Sequence, residues 1–283
     1  MTALPMSGRK VLITGATSGI GEITAYELAA LGAEIVAVSR NEAKTRAVAD
    51  QIVSRGGKAH AYTADLSSMA EIRRLSGEIH NRFDALDVLV NNAGAIFMKR
   101  METVDGLEMT FALNHINYFL LTNLLMDLLK RGASPRIVNV SSAAHFGGRV
   151  DFSDLQMKKN FTGWRAYSAS KLMNILFTYE LDRKLKAENV GITVNTLHPG
   201  FVATNFGKSN GGLFHSLFGL SQFAAIKPED GARTSIYLAS SPEVENISGR
   251  YFANCTETRS SPESYNEKTA AQLWRVSEQL TAL

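Results

Sequence analysis

The chain has 283 residues, 45% hydrophobic, 20% charged and 8% aromatic, a composition that suits a soluble globular protein and excludes a disordered, collagen-like or coiled-coil chain. The net charge of +3 comes without any long basic run, and the single cysteine, Cys255, allows neither an intrachain disulfide framework nor a cysteine-rich metal site. Nucleic acid is therefore a poor partner. Residues 1–10 hold no apolar stretch and no window offers roughly 18 uncharged apolar residues, so no transmembrane segment is expected and a cytoplasmic place is the default.

Short apolar runs alternate with amphipathic segments along the chain. The pattern predicts strands at 11–14, 34–39, 58–63, 86–90, 136–141, 191–197 and 250–253. Helices are predicted at 20–31, 41–55, 67–82, 103–130, 164–187 and 228–240, with a helical tail over 262–281. Repeated βα units with β-branched strands mean a parallel sheet covered on both faces. The expectation is one doubly wound α/β domain of Rossmann type with a seven-stranded, mostly parallel sheet. No linker divides it. Two stretches, 143–163 and 201–227, break the rhythm after strand C-terminal ends, where open α/β sheets bind ligands.

The run Thr14-Gly15-Ala16-Thr17-Ser18-Gly19-Ile20-Gly21 joins the first strand to the first helix. Gly15 permits a tight turn, Gly19 lets backbone approach an anion, and Gly21 allows close helix–strand packing. Free N–H groups of Thr17, Ser18 and Ile20 and the helix dipole then favour a pyrophosphate. No Gly-Lys-Ser/Thr follows, which argues against a P-loop NTPase. The second strand ends in Ser39-Arg40, with Lys44 one turn on. An acid there would suit the ribose 2′-OH of NAD; cations suit a 2′-phosphate, so NADP(H) is favoured over a merely solvated arginine.

Tyr167 and Lys171 stand four apart on one predicted helix face. A phenol titrates at about 10, and a nearby ammonium would lower that value enough for acid–base work. Strand five ends in Ser141-Ser142, where a hydroxyl could hold a carbonyl or alcohol oxygen, although paired serines also form turns. Asn91-Asn92-Ala93-Gly94 ends strand four, and Asn114 sits among apolar neighbours in the next helix. A buried amide needs partners, either a water in a proton relay or nearby backbone.

Taken together, TGATSGIG at 14–21, Asp65-Leu66, NNAG at 91–94, Asn114, the double serine, Tyr167/Lys171 and Pro199-Gly200 resemble the short-chain dehydrogenase/reductase family over residues 8–255. The resemblance implies Tyr167 as acid–base, Lys171 as the residue that lowers its pKa and holds the nicotinamide ribose, Ser142 as the hydroxyl that orients the reacting oxygen, and Asn114 in a water relay. It implies Asp65 and Leu66 near adenine and Asn92, Ala93 and Gly94 beside the adenosine ribose. It also implies Pro199, Gly200, Val202 and Thr204 at the carboxamide, and a possible homodimer through the helix that carries Tyr167. Ser142 and Tyr167 lie 25 positions apart, further than in most members. That insertion, with Asp154-Leu155-Gln156 and Leu273-Trp274, resembles the retinol dehydrogenase-like branch, which acts on retinoids and other apolar carbonyls, usually with NADP. Members of that branch often carry an N-terminal anchor that residues 1–10 lack.

Residues 201–227, with Phe206 and several glycines and aromatics, suit a lid over an apolar ligand or ordinary core. His145 is a candidate substrate contact or a hydrogen-bonded structural histidine; His198, Trp164 and Trp274 read as structural or packing residues. The expected activity is an NADP-dependent alcohol dehydrogenase or carbonyl reductase. Its rivals are a catalytically silent dinucleotide-binding regulator and a sugar-nucleotide epimerase, the latter disfavoured because only about 30 residues follow Ala253.

Overall fold

A computed structural model describes residues 4–200 and 227–283. Its frame is one sheet in the order β3-β2-β1-β4-β5-β6-β7-β8. These strands are β1 (Lys10–Thr14), β2 (Glu34–Ser39), β3 (Lys58–Thr63), β4 (Val88–Asn91), β5 (Arg136–Val140), β6 (Thr193–His198), β7 (Tyr251–Ala253) and β8 (Thr256–Thr258). All neighbours run parallel except the last pair, β7 with β8. The eighth strand corrects the expected count of seven. Its three residues, Thr-Glu-Thr, are exposed and polar, so they lack the short apolar run by which the other strands are recognised. The order reverses between β1 and β4, the point at which doubly wound sheets open a crevice for ligands.

Strand period decides which face each apolar residue covers. Val11 and Ile13 of β1 join Ile35, Ala37, Val88, Val90, Val138 and Val140 in one core layer. That layer lies under α1 (Gly19–Ala30), α2 (Glu42–Ser54) and a helix over Pro228–Ser240. Leu12 points the other way, with Val36, Val38, Leu89, Ile137 and Val194. This second layer packs against α3 (Met69–Arg82), α5 (Asn117–Leu124) and α7 (Gly163–Ala187). Caps set several helix starts: Asn41 accepts from Lys44 N at 2.9 Å and Thr162 from Arg165 N at 3.2 Å.

The long helix expected over 103–130 is instead four pieces. Glu108 accepts the N–H groups of Thr110 and Phe111 at 2.9 and 2.8 Å, so helix begins at α4 (Met109–Phe111). A π-helical turn, Ala112–Ile116, follows; then come α5 and, after a break at Leu125, α6 (Met126–Lys130). With α8 at Pro228–Ser240, the C-terminal helix α9 (Glu267–Thr281) starts five residues later than expected. A 3-10 turn occupies Pro262–Tyr265, and Asn266 caps α9 by accepting from Thr269 N at 3.0 Å.

Helix α7 is enveloped by its own chain: every residue from Ala166 to Tyr179 is buried. On α9, Trp274 packs its ring 5.0 Å from Phe119 and 5.8 Å from Phe177, the packing role expected of it. Among the described residues no helix is long and apolar enough to cross a membrane.

Candidate active site

The C-terminal ends of β1, β4, β5 and β6 lie side by side, and the sequence motifs sit on them. In the glycine loop, Gly15 and Gly19 have φ of +69° and +54°. A Cβ on Gly15 would fall 2.9 Å from Asn92 Nδ2, and one on Gly21 would fall 2.3 Å from the Gly15 carbonyl oxygen. Neither position admits a side chain. Ser18 is the N-cap of α1 but makes no side-chain cap bond. The first-turn amides therefore lack the hydroxyl acceptor an N-cap serine supplies, and they remain donors for an anion.

Thr14, which sequence reasoning passed over, ties this loop to β4. Its hydroxyl accepts the N–H groups of Asn92 and Ala93 at 2.9 and 3.0 Å, while Asn92 Nδ2 donates to the Thr14 carbonyl at 2.8 Å. The Thr17 and Ser39 hydroxyls share a hydrogen bond of 2.8 Å, holding the loop against the end of β2. Arg40 and Lys44 stand exposed just beyond. Asp65 accepts from Ser67 N and Oγ at 3.0 and 2.7 Å, closing a turn that buries Leu66.

Asn114 lies in the π-helical turn, fully buried. Its Oδ1 accepts from Ala95 N at 2.9 Å, and its Nδ2 donates to Ala95 O at 3.0 Å and to Ser170 Oγ at 2.9 Å. The amide satisfies neighbouring backbone, one of the two roles left open by the sequence. A Cβ on Gly94 would come 3.1 Å from Asn114 Oδ1 and 3.4 Å from Lys171 Nζ, so three of the sequence motifs meet at one point.

The structure also separates the two serines. Ser141 Oγ is buried and donates to the Lys171 carbonyl at 2.7 Å. Ser142 Oγ caps the 3-10 turn Ala143–Gly147, accepting from Ala144 N at 3.2 Å, and its side chain acts on the Tyr167 hydroxyl, drawing its pKa down. Lys171 Nζ donates to Val140 O at 2.9 Å. Asn174, one turn further and also unforeseen, donates to the same oxygen at 3.5 Å. A spacing of Tyr-x-x-x-Lys-x-x-Asn was visible in the sequence as a signal for it.

His145 is hydrogen-bonded on both sides of its ring. Its Nδ1 donates to Ser142 O at 2.7 Å and its Nε2 accepts from Ser261 N at 3.0 Å, with the ring fully buried. Both nitrogens are taken by backbone, the arrangement of the hydrogen-bonded structural alternative that the sequence left open. His198 accepts from Gly200 N at 3.0 Å, a structural role as expected. Trp164 departs from its packing assignment: it is 55% exposed, with its ring 6.1 Å from that of Tyr167. Val202, Thr204 and Phe206, with the rest of the expected lid up to residue 226, lie outside the described residues.

A family model described as short chain dehydrogenase matches residues 9–211. The chain belongs to this family. Human Retinol dehydrogenase 14 is 44% identical over 98% of this chain and 88% of its own length. Human Polyprenol dehydrogenase is 38% identical over 99% of this chain and 87% of its own. Among solved structures, an uncharacterized protein from Mycobacterium Paratuberculosis is similar with a TM-score of 0.81 and 34% identity, covering 100% of this chain and 97% of that one. A short chain dehydrogenase from Burkholderia cenocepacia in complex with NADP has a TM-score of 0.70 and 28% identity, covering 89% and 97%.

In this short-chain dehydrogenase, burial dominates the titration of the site. It pushes the Tyr167 phenol up to about 12, against the opposing pull of the Ser142 hydrogen bond. It brings Lys171 down to about 7. The expected lowering of Tyr167 by a lysine ammonium is therefore absent from the unliganded protein. Nζ lies 5.7 Å from the Tyr167 ring centroid and spends a proton on Val140 O.

The sign of the consequence for stability follows from linkage. Lys171 titrates at about 10.4 when unfolded and about 7 when folded. Between those values the unfolded chain holds the extra proton, so stability rises with pH above 7, is lost as pH falls towards 7, and is flat below it. In urea titrations of unliganded protein from pH 7 to 9.5, wild type should gain at least about 1 kcal/mol relative to Lys171→Met. Parallel stability curves for the two proteins would contradict a buried, neutral Lys171.

Proposed function

We propose that this dehydrogenase transfers a hydride between NADP(H) and the carbonyl or alcohol carbon of an apolar substrate, with Tyr167 as acid–base. The observation that carries the reading is the placing of buried Tyr167 and Lys171 against the half-buried Ser142 at the end of β5, beside the glycine loop. The residues present fit a dinucleotide. Side chains are sterically excluded at Gly15 and Gly21, and α1 begins without a side-chain cap. Amides of Thr17, Ser18, Gly19 and Ile20 would hold the pyrophosphate, and Arg40 and Lys44 a 2′-phosphate. Asp65 and Leu66 would meet adenine, Asn92, Ala93 and Gly94 the ribose side, and Pro199 and Gly200 the carboxamide, with Val202 and Thr204 beyond. When bound, the nicotinamide supplies or accepts the hydride.

The chain's own work is on the oxygen. The Ser142 hydroxyl acts on the Tyr167 phenol, so an oxygen bound between them would accept from both. In reduction Tyr167 gives its proton to that oxygen as the carbonyl becomes an alcohol; in oxidation it takes the proton back. A phenolate at Tyr167 favours the ammonium form of Lys171, so their protonation states are coupled. Burying Lys171 disfavours its charge and is of use only where it works on a neighbour. That supports turnover over the silent-regulator reading. The retinol and polyprenol dehydrogenases among the relatives support an apolar substrate.

Tyr167→Phe should lower turnover by at least about 10²-fold while NADPH still binds, as read by cofactor fluorescence beside steady-state rates. Retained turnover would remove Tyr167 from the mechanism. Arg40→Asp combined with Lys44→Ala should move the NADPH/NADH ratio of kcat/KM towards NADH by at least about tenfold. A ratio equal to wild type would show that the 2′-phosphate is read elsewhere.

A further inference from the structure

Trp164 sits in the first turn of α7, whose start is set by two local constraints. Thr162 caps the helix by accepting from Arg165 N at 3.2 Å. Gly163 is pressed so closely onto the segment after β4 that a Cβ there would lie 2.4 Å from Phe97 O and 2.8 Å from Met98 Cα. Only glycine fits, and the helix start is held against residues 97–98. The next residue, Trp164, lies three positions before Tyr167, on the same helix face. The two rings are 6.1 Å apart at an interplanar angle of 41°. Yet Tyr167 is 7% exposed and Trp164 is 55% exposed. The half-open indole thus offers an apolar surface directly beside the buried tyrosine. Met98, pressed against Gly163 and itself 36% exposed, adds a second partly open apolar side chain at the same helix start.

We propose that Trp164 is a specificity-determining residue that binds the apolar body of the substrate while Tyr167 handles its oxygen. This rests on the reading of Tyr167 as acid–base and adds to it a discrimination by length. An indole gives a wide, rigid apolar surface. A substrate long enough to reach from the phenol past the helix start covers that surface, whereas a two- or three-carbon aldehyde does not reach it. The residue therefore contributes to binding of extended apolar aldehydes and alcohols and adds nothing for short ones.

Kinetics and fluorescence together test this. At saturating NADPH, Trp164→Ala should raise KM for decanal by about tenfold with kcat within about twofold, while KM for propanal stays within about twofold. Trp164→Phe should recover most of the loss. Equal changes for both aldehydes, or none for decanal, would overturn the proposal. The chain has two tryptophans, Trp164 and Trp274, so Trp274→Phe leaves Trp164 as sole emitter. Decanol added with cofactor should then shift its emission to the blue and shield it from acrylamide. If the protein turns over no carbonyl but the emission still shifts, the enzymatic reading fails and Trp164 stands as a binding surface. If decanal is turned over and the emission does not move, the reading stands and the role of Trp164 is refuted.

Discussion

The carbonyl oxygen of Val140, at the last residue of β5, is the anchor on which the site depends. It accepts from Lys171 Nζ at 2.9 Å, from the Tyr118 hydroxyl at 3.3 Å and from Asn174 Nδ2 at 3.5 Å. Two helices, α5 and α7, are thereby pinned to the end of one central strand. A fourth bond runs from Ser141 Oγ to the Lys171 carbonyl at 2.7 Å, so the rotation and height of α7 over the sheet are both set. Tyr167, one turn before Lys171, is held on the same pinned helix, where Ser142 acts on its hydroxyl. Hydrogen bonds to a single buried acceptor are individually modest, but here they converge on the helix that carries the reacting groups.

That arrangement also sets the charge of the two side chains. Burial disfavours both charged forms, leaving a phenol that titrates at about 12 beside a lysine at about 7. A neutral pair is the lower-energy state in a dry pocket. Acid–base work near neutral pH needs an added favourable charge close to the phenol, and an oxidised nicotinamide is positively charged. Stability of the empty protein and reactivity of the filled one are in this sense opposite demands on the same two side chains.

Much of this was legible in the sequence, and the exceptions have physical causes. The parallel strands and the glycine loop were readable because short apolar runs and glycine tolerance are local properties. Ser142, Tyr167, Lys171 and Asn114 were readable as a set, and the structure brings them together within one cluster with Gly94 and Ser170. The π-helical turn that aims Asn114 at Ala95 was not, because one extra residue per turn leaves no clear mark on a mostly apolar stretch such as 111–121. The settings of His145 and Trp164 were not readable for a similar reason. Whether a ring is buried against Ser261 or left open beside Tyr167 is decided by segments distant in sequence. The segment 201–226, read from its glycines and aromatics as a lid, lies outside the described residues.

The most direct measurement is the ionisation of Tyr167 itself, followed through ¹³Cζ-tyrosine NMR with Tyr167→Phe to assign the signal. In the protein alone the phenol should stay protonated well past the ordinary value of about 10. With NADP⁺ bound its pKa should fall by at least about two units. A signal that titrates at an ordinary value without ligand, or that does not respond to NADP⁺, would contradict the account of a buried phenol made acidic by its cofactor.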